Sequence, residues 1–399
     1  MKHLAVLAAL LAPVPALADI DPANWEAVTA EAEGQTVFWN AWGGSTTTND
    51  FIAWVGSRVM EDYGVTLEHV KLTDTADAVT RVLSEKQAGE DDDGAIDMIW
   101  INGANFASMK EADLLFGPYA EELPNWALVD AEGKTVRTDF TVPTDGFESP
   151  WAMAQVVFVH DTADMPERLG SMQALLEWTR ANPGRFSYPQ PPDFLGTTFL
   201  KQVLVDILPD ASVLANPATD ENYDEVTAPL WAYLDALTPN LWREGKAYPP
   251  TGTAMFPLIA DGELDLSISF SPGAASTAIA NNELPPSVRT FVLDKGTIGN
   301  ASFVAIPYNS GSKAGAMVVA NFLMSPEAQA RAQDPAILGY GTVLNMDALS
   351  DADRGLFDAL ELGVATLSPA DLGTVQDEPH PSWATRIADD WMTRYGVSE

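Results

Sequence analysis

The 399-residue sequence carries 57 acidic against 21 basic side chains, a net charge of −36, and no cysteine. A field of that sign argues against nucleic acid and anionic membrane surfaces as partners, because their phosphates are repelled. The missing cysteines exclude a disulfide framework, a thiolate metal site and a lipid-anchor cysteine.

At the start of the chain, Lys2 and His3 precede an apolar run over residues 4–11, then Pro13, Pro15 and Ala16-Leu17-Ala18. A basic beginning, a short apolar stretch and an A-x-A end read as a secretory signal over residues 1–18, leaving a periplasmic protein that begins near Asp19. The run is too short to stay in a bilayer, so no stable membrane insertion is expected. The remaining length suffices for two lobes with separate cores.

A strand over residues 35–39 leads into FWNAWGGSTTTND, residues 38–50, where Trp42 stands beside Gly43 and Gly44. This is either a turn with core aromatics or a loop that lets a solute approach the backbone beside an indole. Asn49 and Asp50 are N-cap candidates for an amphipathic helix carrying Phe51, Ile52, Val55, Val59 and Met60 on one face, with Gly64 at its end. A strand over 65–70, a helix over 77–87 and a buried strand over 96–101 follow. This βαβαβ order opens an α/β sheet. The acidic turn 90–94 fails the EF-hand spacing, since Gly89 and Trp100 occupy its first and last ligand positions.

A proline- and glycine-containing passage over 143–150 marks a domain boundary. Beyond it the pattern predicts a strand over 154–160, a helix over 170–181, a short strand over 186–188 and a helix over 197–208. Later come a helix over 254–261, a strand over 264–270 ending in Ser271-Pro272-Gly273, strands over 288–293 and 301–306, and further helices.

None of the common nucleophile, phosphate-loop or zinc motifs occurs, and the histidines stand alone. No cofactor or metal is implied. What recurs is a strand running into a loop of Gly, Asn, Ser or Pro with aromatics, followed by a helix start. The four cases are Asn40 to Ser45, Trp100 to Asn105, Tyr188 through Asp193 to Thr198, and Phe270 to Gly273. In open α/β sheets, ligands sit beyond the carboxyl ends of the strands, where such loops converge.

Three longer stretches resemble the extracellular solute-binding proteins of family 1, the receptors of bacterial ATP-binding-cassette importers. They are FESPWAMAQVVFVHDT, MFPLIADGELDLSISFSPGAA and NASFVAIPYNSGSKAGAMVVANFLMSPEAQA; FWNAWGG and WINGANF are similar to a YnjB-like branch of that group. The resemblance implies a two-lobed α/β periplasmic-binding fold of the Venus-flytrap type II kind, each lobe an open mixed sheet flanked by helices. Residues 19–149 and 300–340 would form the first lobe, and residues 150–299 and 341–399 the second.

By the same resemblance, a monomer binds a small-molecule ligand in the cleft and presents it to an importer permease. Asn40, Trp42, Gly43, Gly44, Trp100 and Asn102 would face the ligand from the first lobe and Trp151 from the crossing. Tyr188, Asp193, Gly196, Thr197, Ser271 and Gly273 would face it from the second. A polar or cationic organic solute is favoured because no lysine or arginine sits in the four loops. The alternative is a periplasmic enzyme on a two-lobed fold acting on a small polar or saccharide substrate.

Overall fold

The computed structural model describes residues 20–368 and 371–397; the expected signal, residues 1–18, lies outside the described residues. The first lobe opens with α1 (Trp25–Ala32), β1 (Thr36–Trp42), α2 (Thr46–Tyr63), β2 (Thr66–Leu72), α3 (Thr75–Ala88), β3 (Met98–Ile101) and α4 (Ala104–Glu111). β1 lies between β2 and β3 and pairs in parallel with both. Val37, Trp39 and Ala41 alternate along β1 and share a core with Phe51, Ile52, Val55 and Val59 of α2. α3 and α4 enclose a smaller cluster with Ile99 and Ile101.

α2 begins a turn before the Asn49-Asp50 signal. Ser45 is its N-cap and its Oγ accepts from the Thr48 N–H at 3.5 Å. Asn49 instead donates to the Gly43 carbonyl at 3.2 Å. Met60 leaves the expected apolar face and is exposed. Gly64 ends the helix at φ 69, in the left-handed region that glycine enters without steric cost.

A small hairpin of β4 (Thr138–Asp139) and β5 (Val142–Pro143) precedes β6 (Glu148–Gln155), and β7 (Val157–Asp161) begins the second lobe. The expected single strand over 154–160 is therefore two strands in two sheets. The chain changes lobe at Gln155 and Val156, not within 143–150. The second lobe continues through α5 (Met172–Ala181), α6 (Phe194–Ile207), α7 (Tyr223–Leu237), α8 (Met255–Ala260), β8 (Leu266–Ser269), α9 (Ala274–Ala280) and β9 (Val288–Phe291). β7 is flanked by β8 and β9, both antiparallel to it, while Phe186 forms only a parallel bridge to Leu266.

β10 (Thr297–Ala305) carries the chain back, pairing antiparallel with β3 and, on its other flank, with β6. Pro150 sits opposite Phe303, where the register with β10 shifts. Such an irregularity accommodates a residue that has no N–H to give the ladder. α10 (Lys313–Leu323), α11 (Pro326–Gln333) and α12 (Asp351–Asp358) cover the first lobe. β11 (Val375–Gln376) then pairs in parallel with the first residues of β10, and α13 (Pro381–Tyr395) seats Trp383, Ile387 and Trp391 in the second core.

The cores correct one expected lobe range. Val343, Leu344, Leu349 and Phe357 pack in the first core although residues 341–399 were expected in the second lobe. The Gln329 side chain explains this. Its Oε1 accepts from Thr342 Oγ1 and the Val343 N–H, and its amide donates to the Trp151 and Leu323 carbonyls, so the segment after α11 is held to the first lobe.

Candidate functional site

β1 and β3 run parallel, so their carboxyl ends share one edge of the first-lobe sheet. Trp42 closes β1; it is partly buried and belongs to no hydrophobic cluster among the described residues. Its indole lies against Gly44, where an added Cβ would come within 2.4 Å of the ring. Gly44 is thus small because the indole needs its space. Neither Gly43 nor Gly44 has positive φ, so backbone freedom is not the reason for this pair.

Asn40 lies inside β1 and is buried, which removes it from the expected loop. Asn102 donates to the Ala301 carbonyl at 2.8 Å and to Asp139 Oδ1 at 3.3 Å, stitching the end of β3 to the returning strand. Gly103 follows at φ 61, and a Cβ there would reach to 2.8 Å from the Phe140 ring. Both facts demand glycine.

Two expected contacts prove to be core residues. Trp151 is 1% exposed, with its ring among Trp39, Phe51, Trp100 and Tyr340. Tyr188 is fully buried, stacked on Phe199 at 4.2 Å, and its hydroxyl accepts from Trp391 Nε1 at 3.0 Å. Burial drives its phenol far above the usual range. α13 arrives from the far end of the chain and covers this ring.

The remaining second-lobe positions are fixed by hydrogen bonds and packing around their loops. Asp193 caps α6 by accepting from the Leu195 and Gly196 N–H groups, and burial raises its carboxyl above the usual range. Gly196 packs on Pro189, with no room for a Cβ, and the Thr197 N–H donates to the Asp193 carbonyl. Ser271 Oγ donates to Leu338 and Gly339 carbonyls at 3.4 and 3.5 Å, and the Gly273 N–H donates to Gly339 at 3.0 Å.

These contacts form a circuit between the lobes. Trp100 meets Trp151 edge-on at 4.8 Å, and Trp151 meets Tyr340 at 5.8 Å. The adjoining Gly339 holds Gly273. Phe270 of the same loop meets Phe194 at 5.2 Å, Phe194 lies 5.7 Å from Lys201 Nζ, and that ammonium lies 4.3 Å over the Phe140 ring. Phe140 returns the circuit to Gly103.

Beside Phe140 lies a polar cluster that sequence inspection did not find. Lys201 and Glu378 form a buried ion pair at 2.5 Å, each side chain 2% exposed, and Asn300 donates to Glu378 at 3.4 Å. Asp139 accepts from the Gly103 N–H at 2.5 Å, yet burial lifts its carboxyl to about 7. Glu148 is raised well above the usual range by burial, and also by Asp139. Burial likewise raises Glu378, outweighing Lys201.

A cavity of about 250 Å³ opens here, lined by Thr135, Phe140 and Thr141 from the first lobe, Asn300 of β10, and Asp377 and Glu378 just after β11. The only signal for these residues in the sequence was Phe194, beside the expected Asp193. Among the described residues no group of three His, Asp or Glu side chains could hold a metal, and no helix is long and apolar enough to cross a membrane.

Comparison with known proteins gives a consistent picture. A family profile described as bacterial extracellular solute-binding protein matches residues 54–352. Protein YnjB of Escherichia coli (strain K12) is 45% identical over 374 residues, covering 94% of each chain. The periplasmic binding protein AfuA from Actinobacillus pleuropneumoniae, solved with fructose-6-phosphate, superposes with a TM-score of 0.63 at 12% identity, over 91% of this chain and 99% of that one. The spermidine/putrescine substrate-binding protein PotD from Streptococcus pneumoniae gives a TM-score of 0.60 at 16% identity, over 90% and 98%. The family is described as solute-binding, and both structural neighbours are named as binding proteins. With the two-lobed α/β architecture and a profile match across most of its length, the chain belongs to the bacterial extracellular solute-binding proteins.

Proposed function

We propose that this protein, as a periplasmic monomer, captures a small polar organic solute between its lobes and delivers it to the permease of an ABC importer. The supporting observation is the circuit from Trp100 through Tyr340, Phe194 and Lys201 to Phe140, which gives both lobes shared aromatic and polar walls. Solute bridging those walls stabilises the closed arrangement, and the permease reads that shape. The fold does not choose the cargo. One neighbour was solved with a sugar phosphate and another is named for polyamines. The net charge of −36 and the exposed carboxylate of Asp377 at the cavity favour a cation.

A thermal-shift screen against amines, vitamins, sugars and oxyanions tests this reading. A ligand at a thousandfold excess over Kd adds about 4 kcal/mol to apparent stability. Small-angle scattering with the hit at saturation should show a smaller radius of gyration. An unchanged radius would remove hinge closure from the mechanism.

Trp42 supplies a second test, because its partly buried indole lies outside every described core cluster. Trp42→Ala is expected to weaken binding by about 5- to 150-fold, the loss of one stacking partner. Its stability cost should stay below the ~3–5 kcal/mol of an emptied core site. Calorimetry on the folded variant decides. Unaltered affinity would make this stretch a turn.

A further inference from the structure

Two glycines from opposite lobes meet backbone to backbone. We infer that the contact of Gly273 with Gly339 is the pivot on which the second lobe rocks against the first, and that its closeness sets the resting angle between them. The carrier reading gives that angle its use, since a wider resting angle lowers the fraction of molecules able to close on a solute. The contact itself can be tested with no solute present.

The two sides belong to different cores. Ile337, Leu338 and Tyr340 pack on the first, whereas Ala275 and Ala278 of α9 lie in the second. Hydrogen bonds cross between them. The Gly273 N–H donates to the Gly339 carbonyl at 3.0 Å, and Ser271 Oγ lies 3.4 and 3.5 Å from the Leu338 and Gly339 carbonyls. Thr277 Oγ1 donates to the Pro335 carbonyl.

The approach leaves no room for a side chain. Gly273 has φ −90, which any residue adopts, so its small size answers to the contact and not to the backbone. A Cβ built on Gly339 would stand 2.6 Å from Gly273 Cα, and one built on Gly273 would press on Gly339 Cα. Carbon atoms rest at about 3.5–4.0 Å, so a Cβ here must drive the lobes apart by about 1 Å.

Both sides are also tied to one crossing strand. Gly341 exchanges two backbone hydrogen bonds with Met153 of β6, at 2.7 and 2.9 Å, and the Gln155 N–H donates to the Phe270 carbonyl at 3.1 Å. The contact therefore sits beside the point where the chain changes lobe. Backbone pressed on backbone does not yield as a flexible side chain would, so a displacement there becomes a rotation that grows with distance from the hinge.

The chain has no cysteine, so spin labels can be placed at Ala53→Cys on α2 and Arg180→Cys on α5, exposed residues of opposite lobes. Pulsed electron resonance then reads the distance between lobes in the full chain. Gly273→Ala should lengthen it by about 1 Å or more, and Gly273→Val further. Gly315→Ala is the control. Its Cβ would stand 2.8 Å from Val37 Cγ2 inside the first lobe, so it should lower stability and leave the distance alone. An unchanged distance in folded Gly273→Val, or an equal lengthening in Gly315→Ala, would overturn the pivot. Should Gly273→Val not fold, Ser271→Ala with Thr277→Val decides. It adds no bulk, removes the crossing side-chain bonds and should broaden the distance distribution; a distribution as narrow as wild type would overturn the pivot. A solute that binds tightly alongside these negative results would leave the carrier reading intact. Absence of binding by every class in the screen would defeat that reading and leave the distances standing.

Discussion

Lys201→Met is expected to destabilise the protein by about 3–5 kcal/mol at pH 7, as removal of one member of a buried ion pair generally does. Lys201 and Glu378 are each 2% exposed and 2.5 Å apart. Without the ammonium, Glu378 must keep a buried charge or take up a proton. Burial already raises its carboxyl, so the variant should protonate it over a wider pH range. A raised folded-state value means stability is retained at low pH and lost as pH rises through that value. The defect should therefore be smaller at pH 5 than at pH 8. Lys201→Met with Glu378→Leu should recover most of the loss, since an apolar pair of similar volume avoids both desolvation costs. Urea unfolding of the three proteins at both pH values measures this. A single variant within 1 kcal/mol of wild type would show that the pair contributes little.

The second large effect concerns Asp139, which no solvent reaches. Burial raises its carboxyl to about 7, although the Gly103 N–H, the Asn102 amide and Lys201 all favour its charged form; Glu378 opposes it. Glu148, also buried, is raised first by burial and then by the charge of Asp139. In the unfolded chain an aspartate titrates near 4. Between about pH 4 and 7 the folded state thus holds more protons, and stability falls with rising pH, by an amount on the order of 4 kcal/mol from this residue. Asp139→Asn should flatten that part of the profile, at the cost of one hydrogen bond from Gly103 or Asn102. The wild-type minus variant difference isolates the residue from the other acids. Parallel profiles from pH 4 to 8 would refute the assignment.

Local signals along the chain specified much of the architecture. The βαβαβ start follows from alternation in β1 and helical spacing in α2, both short-range patterns that survive in the fold. Gly64 stops α2 because a left-handed terminus suits glycine. Ser325 caps α11 and Pro326 opens it, the serine-then-proline order that suits a helix start.

Tertiary packing decided which loop residues stay at the junction. Trp151 and Tyr188 look the same in sequence as Trp42, yet α2 covers one and α13 the other, while Trp42 joins no core. No local rule registers a helix that arrives 200 residues later. The polar cluster was hidden for the same reason. Lys201 meets Glu378 across 177 positions and Asn102 meets Asp139 across 37, and a chain with 57 acids gives no one of them a distinguishing mark. Charge in the sequence is a composition; its desolvation, and hence its pKa and its energetic weight, exists only once both lobes have closed over it.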